Sequence, residues 1–278
     1  RCGLPTEDDN ENQGGKAVNG RKTPQLSAGI ESMGQLEAVI DEGVERIYIP
    51  THLLSKNRAA IAGMISKALQ GNVSICFKLP RIMRSNIFGD VMKEVEHGME
   101  LRPDGIMVSE MGAIESIRHY FARDIYADFP VNVMNHYTAE RLGHCGVKGT
   151  TLSPELNLGQ VRDVISGTSM ECELIVYGRL PLMVSEYCPV GMVQGCSGAG
   201  RRCGGKSTGN SYSLRDRLAE EFPIVTEGYA CQSRILNSKV LFMALDMDKI
   251  VSTGCSSVRM DFTLESGEET KEIAKLFY

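Results

Sequence analysis

The stretch QLSAGIESMGQLEAVIDEGVERIYIP (residues 25–50) contains one complete folding unit. QLSAGI (25–30) and RIYIP (46–50) are short apolar runs with strand character. Between them Met33, Leu36, Val39 and Ile40 recur at i, i+3, i+6 and i+7, the spacing of one buried helix face. The same alternation continues along the chain. Further strand candidates are VSICFKLP (73–80), GIMVS (105–109), FPVNVMN (129–135), GVKGTTL (146–152), ECELIVYG (171–178) and VRMDFTL (258–264). Ile61, Ile65, Ala68 and Leu69 form a helical stripe, as do Val91, Val95 and Met99, and Ile114, Ile117 and Phe121. Strands that are apolar almost throughout are buried on both faces, as in a parallel sheet covered by helices. Eight such repeats of about 30 residues predict an α/β fold, a (β/α)8 TIM-like barrel. A doubly wound open sheet is the alternative that periodicity leaves standing.

The seventh and eighth strands are separated by about 80 residues rather than one helix. The insertion, residues 179–245, carries Cys188, Cys196, Cys203 and Cys231 and an apparent hairpin around FPIVTEGYACQSRILN. It leaves the C-terminal end of a barrel strand, the end on which barrel active sites are built. The first three of these cysteines share a loop with seven glycines between Gly191 and Gly209. Such density points to a metal or cluster site. Iron–sulfur clusters take four thiolates, often on irregular loops whose amides reach the sulfurs. Zinc is the rival, but structural zinc sites favour cysteine pairs two to four residues apart, and the gaps here are seven, six and twenty-seven residues. Scattered packing thiols are the third reading, since free cysteine behaves as a small hydrophobe. Cys255, in STGCSSVRM, is a substitute ligand candidate; Cys2 is not.

The chain has 278 residues, 42% of them hydrophobic, and a net charge of −5, which gives no global sign of nucleic-acid binding. No apolar run approaches the ~18 residues of a membrane span, so no membrane partner is expected. Nine cysteines, several in strand-like runs, do not resemble a secreted disulfide framework, and a reducing cytoplasmic setting is expected. Residues 1–24 are polar and Gly-rich and do not read as a signal peptide. They read as a linker ahead of a barrel spanning 25–278, with further domains of a longer chain expected.

VYGRLPLMVSEYCPVG (176–191), the following GC (195–196) and Cys203, and YSLRDRLAEEFPIVTEGYACQSRILNS (212–238) together resemble the U32 peptidase family. LSAGIESMGQLEAVIDEGVERIYIP (26–50), VNVMNHYTAERLGHCGVKGTTLSPEL (131–156) and GCSSVRMDF (254–262) extend the resemblance over nearly everything after residue 24. The resemblance implies a TIM-like barrel. It also implies a [4Fe–4S] cluster on Cys188, Cys196, Cys203 and Cys231. The activity implied is oxygen-independent hydroxylation of an RNA base or other aromatic ring, with prephenate as oxygen donor; collagenase-like peptidase is the historical alternative. Where the family has Pro-Ala-Gly, this chain has Ser27, Ala28 and Gly29, and its cysteine lead-in resembles the second barrel of long two-barrel members.

A peptidase needs an activated nucleophile or a metal-bound water. The chain has no G-x-S-x-G elbow and no H-E-x-x-H pair, and its five histidines are scattered. A spatial pair involving His52 or His136, both expected on the catalytic rim, stays open. For hydroxylation, strand ends supply the candidates. Arg179, Asn135 and His136 are the candidate catalytic residues, and Lys78, Arg81, Glu110 and Tyr137 the candidate substrate contacts. An arginine such as Arg81 or Arg179 can grip a carboxylate through two parallel hydrogen bonds. Each has a plainer reading: Lys78 and Arg81 as rim charges, Glu110 at a helix N-terminus, Asn135 as a helix cap, His136 and Tyr137 as packing. Residues 178–217 also hold six basic side chains, fitted either to RNA or a small anionic aromatic substrate or to balancing cluster thiolates. A non-catalytic accessory barrel is the third class of function.

Overall fold

A computed structural model describes residues 23–70, 73–195, 212–226 and 232–278. Seven parallel strands come first: β1 (Gln25–Gly29), β2 (Arg46–Pro50), β3 (Ser74–Lys78), β4 (Gly105–Val108), β5 (Asp124–Ala127), β6 (Val147–Thr151) and β7 (Glu171–Gly178). The next five are β8 (Pro181–Ser185), β9 (Tyr212–Arg215), β10 (Glu221–Thr226), β11 (Ser233–Leu236) and β12 (Leu241–Phe242). The last, β13 (Ser257–Asp261), pairs in parallel with both β7 and β1 and closes an eight-stranded barrel. The helices that return the chain are α1 (Met33–Asp41), α2 (Thr51–Gln70), α3 (Ser85–Gly98), α4 (Met111–Tyr120), α5 (His136–His144) and α6 (Leu158–Ser166). The short α7 (Pro189–Gln194) and α8 (Met247–Val251) and the terminal α9 (Gly267–Lys275) complete the described elements. The (β/α)8 expectation is met.

Several helix starts are written in the sequence. Ser32 with Gln35, Asn157 with Gln160, and Ser266 with Glu269 form reciprocal capping boxes on α1, α6 and α9. The strands alternate as a barrel requires. Ile47 and Ile49, Ile75 and Phe77, Ile106 and Val108, Ile125 and Ala127, and Val258 and Met260 face the helices in one apolar core. Burying a side chain of this size fully contributes roughly 1.5–3 kcal/mol. The intervening residues face the lumen, where Tyr48, Cys76, Met107 and Tyr126 form a separate small cluster.

One strand lies elsewhere than the sequence suggests. FPVNVMN is not a strand; Phe129–Val131 is a 3-10 turn and the fifth strand is Asp124–Ala127. Pro130 has no amide for a ladder bond, Asp128 accepts from Phe129 N (2.8 Å), and Asn132 turns left-handed at φ 62°. Asp128, rather than Asn135, is therefore the residue at the rim.

The insertion folds as an antiparallel sheet in the order β8–β11–β10–β9, including the expected β10–β11 hairpin. Gly178 starts it, at φ +128°; a β-carbon there would lie 2.3 Å from the Asp261 carbonyl oxygen. The expected linker lies outside the described residues except at its last two positions.

Candidate functional site

The lumen is polar where the surrounding layer is apolar. Arg259 is completely buried and meets three carboxylates. Its Nη2 lies 2.6 Å from Asp128 Oδ1, its Nη1 3.0 Å from Glu173 Oε2, and its Nε 3.0 Å from Asp261 Oδ1. Glu173 also accepts from the hydroxyls of Ser27 (2.7 Å), Tyr48 (3.0 Å), Thr151 (2.9 Å) and Ser257 (3.2 Å). Donors in this number replace the hydration that a buried carboxylate loses. Gly29 leaves the space Asp261 needs, since a β-carbon there would sit 2.3 Å from Asp261 Oδ1. The column ends upward at Asp128, whose Oδ2 meets Lys78 Nζ at 3.3 Å. Burial pushes the Asp128 carboxyl up, but Arg259 and Lys78 together hold it below the ordinary carboxylate range.

Above this column, at the C-terminal ends of the strands, lies an open cleft of about 500 Å³, its solvent mouth included. Its charged lining is Glu31, His52, Lys78, Arg81, Asp128 and Arg234. Arg81 lies over the Phe129 ring at 5.5 Å. Arg234, from β11 of the insertion, reaches Glu31 Oε1 at 2.7 Å, and His52 Nε2 stands 3.7 Å from Glu31 Oε2. Burial disfavours the charge on Glu31, yet Arg234, His52 and Lys78 hold its carboxyl below the usual value. The insertion is thus pinned over the barrel mouth. Two further ties do the same: Arg84 pairs with Glu186 at 2.5 Å, and Gln232 Nε2 reaches Ile82 O at 3.5 Å.

Of the residues singled out in the sequence, Lys78 and Arg81 line this cleft. Glu110 is the N-cap residue of α4 and makes no side-chain cap bond. Asn135 caps α5, accepting from Thr138 N (2.9 Å) and Oγ1 (3.0 Å). His136 packs on Tyr137, ring centroids 4.0 Å apart, and against Gly167. None of these four lines the cleft. Arg179 donates to the carbonyls of Asn237 (2.9 Å) and Ser238, tying the exit of β7 to the strand that returns from the insertion.

Among the described thiols, two environments occur. Cys76 and Cys172 are buried, and burial pushes both up to about 12; Cys255 is raised for the same reason. Cys255 precedes β13, at the N-terminal end of the barrel and so opposite the insertion, which removes it as a substitute ligand. Cys188 is only partly buried, caps α7, and accepts from Gly191 N at 3.2 Å. Cys196, Cys203 and Cys231 lie outside the described residues. Among the described residues no group of three His, Cys, Asp or Glu side chains is placed to hold a metal, and no helix is long and apolar enough to cross a membrane.

Sequence reasoning does not single out Glu31, Asp128, Glu173, Arg234 or Arg259. A signal exists for two of them. Arg259 and Asp261 alternate with Val258 and Met260, as Glu171 and Glu173 do with Cys172 and Leu174. Charges at every second position of a strand buried on both faces mark a polar lumen.

The family model for peptidase family U32 matches residues 31–278. Among solved structures, the U32 peptidase Mk0906 superposes with a TM-score of 0.50 at 11% identity, covering 94% of this chain and 100% of that one. Thiamine phosphate pyrophosphorylase from Pyrococcus furiosus (TM-score 0.48, 9% identity, 92% and 96% covered) is also similar. So is 3-hexulose-6-phosphate synthase from Salmonella typhimurium (0.44, 11%, 91% and 98%). At these identities the likeness is one of fold. No match is found among curated proteins.

Proposed function

Since the chain belongs to peptidase family U32, we propose that it is an iron–sulfur enzyme that hydroxylates an aromatic acceptor without oxygen gas. The acceptor is an RNA base or a smaller ring, and the oxygen donor is an anion such as prephenate. The observation that supports this best is the cleft, where Lys78 and Arg81 stand beside the base of the cysteine-bearing insertion. An anionic donor entering there meets two cations in a half-enclosed site, where charge interactions exceed those in bulk water.

Cys188, Cys196, Cys203 and Cys231 would hold the cluster. The Cys188 environment fits, being partly exposed with a backbone amide on its sulfur, whereas Cys76, Cys172 and Cys255 are packed as thiols. When bound, such a cluster supplies electrons or a Lewis-acidic iron. The chain's own residues bind and orient. Arg81 and Lys78 grip the donor, His52 on its Glu31 partner can carry a proton at Nε2, and Arg179 fixes the base of the insertion.

The test is a reaction under anaerobic conditions with prephenate and, separately, RNA and small aromatic acceptors. One added oxygen in the product, dependent on prephenate and lost in Lys78→Ala, is the expected result. Cleavage of gelatin with no oxygen added to any acceptor would replace this reading with the peptidase one. RNA as acceptor further requires affinity that falls steeply with salt.

A further inference from the structure

Lys78 is partly exposed, and Asp128, its partner, lies behind it at 2% exposure. That arrangement offers an ammonium to the cleft with its counter-charge almost wholly buried behind it. The pair is not a simple one. Asp128 Oδ1 is taken by Arg259 Nη2 at 2.6 Å and by Phe129 N at 2.8 Å. Lys78 shares Oδ2, at 3.3 Å, with the Ser109 hydroxyl at 3.5 Å. The shorter, fully buried bond is the one to Arg259, so one carboxylate serves two cations. A lone Lys–Asp pair would largely cancel the ammonium's charge; divided with Arg259, Asp128 cancels only part of it.

Arg259 cannot leave Asp128 to do otherwise. Asp261 holds it side-on through Nε and Nη2, and Glu173 holds Nη1, itself fixed by four hydroxyl groups. We infer that Asp128 and Arg259 are positioning residues that aim the Lys78 ammonium at the cleft and leave it a net positive charge for an anionic group of the ligand. This rests on the reading of the cleft as an anion site. Neither Asp128 nor Arg259 needs to touch the ligand.

The division makes an unusual prediction of sign. Removing the Asp128 charge leaves Lys78 without its counter-ion and near Arg259, which favours the neutral, nucleophilic amine. Removing Arg259 gives Asp128 wholly to Lys78 and favours the ammonium. A role limited to holding the fold together would move both variants the same way.

Acylation of the folded full-length chain by acetic anhydride at a fixed alkaline pH, read by mass spectrometry, measures this. Exposed Lys239 serves as internal reference. Asp128→Asn is expected to speed Lys78 acylation severalfold relative to Lys239. Arg259→Gln is expected to slow it, and Arg259→Lys to restore it. Where Arg259→Gln does not fold, the near-isosteric Asp128→Asn decides alone: an unchanged Lys78-to-Lys239 ratio overturns the proposal. Succinate then separates this inference from its premise. Protection of Lys78 by succinate in the wild type, with protection altered in Asp128→Asn, supports both. Shifted acylation rates without succinate protection overturn the anion-site premise and with it the assigned role. Equal protection in wild type and Asp128→Asn, at unchanged rates, keeps the anion site and overturns the positioning role.

Discussion

The two mouths of the barrel use the same kinds of residue and end differently. At the N-terminal mouth Arg46 lies over the Tyr126 ring at 4.5 Å and reaches Glu171 at 3.4 Å, leaving beside them a smaller void of about 180 Å³. At the C-terminal mouth Arg81 lies over Phe129, but a cleft of about 500 Å³ opens there and the insertion is pinned beside it. An arginine stacked on an aromatic ring closes one end and lines the other. The difference lies in the connections at the two ends of the strands. Short turns enter the lower ends; at the upper ends six residues (79–84) follow β3, eight (128–135) follow β5, and the added sheet follows β7. Charge at a plugged mouth serves stability, and charge at an open one is available to a ligand.

Replacement of Arg259, which lies between the mouths, should have the largest effect on stability. Arg259→Met leaves Asp128, Glu173 and Asp261 without their shared cation, and breaking a buried ion pair in this way costs about 3–5 kcal/mol. Urea unfolding checks it. Acid should act on the same column. The Asp128 carboxyl is held low in the folded chain, so its contribution is complete above the unfolded value near ~3.9 and is lost as pH falls through the lower folded value. Asp128→Asn should therefore flatten the acid limb of the stability profile. Arg46→Ala, at the closed mouth, should cost about 1–3 kcal/mol through lost packing, the ring contact and an uncompensated Glu171. It should leave anion binding in the cleft unchanged; a matching loss of binding would erase the distinction between the mouths. The smallest effect belongs to Asn135→Ala, about 1 kcal/mol from loss of the α5 cap, with turnover unaffected.

The barrel is legible because its strands are buried on both faces and apolar on the one toward the helices, and because its helices carry a single stripe. Tyr48 and Ile49 fall in one run, RIYIP, yet face the lumen and the helix layer respectively. The site is harder to read because its residues do chemistry through space. Lys78 and Arg81 can be picked out because they follow a strand whose end the apolar pattern places correctly. Asp128 cannot, because the β-branched and aromatic residues of FPVNVMN imitate a strand and move the expected rim seven residues on to Asn135. Arg179 acts through two backbone carbonyls, a partnership that no spacing in sequence encodes. Arg234 and Glu31 are 203 residues apart and meet only because the insertion folds back over the mouth.

The thiols divide along the same line as the mouths: Cys172 and Cys255 are packed toward the closed end, and Cys188 stands in the insertion above the open one. Iron and acid-labile sulfide, measured on protein purified without oxygen, test that division most directly. About four irons and four sulfides per chain are expected, lost in Cys188→Ala and retained in Cys255→Ala. No iron in the wild type, or equal loss in both variants, would contradict a cluster held by the insertion at the mouth of the cleft.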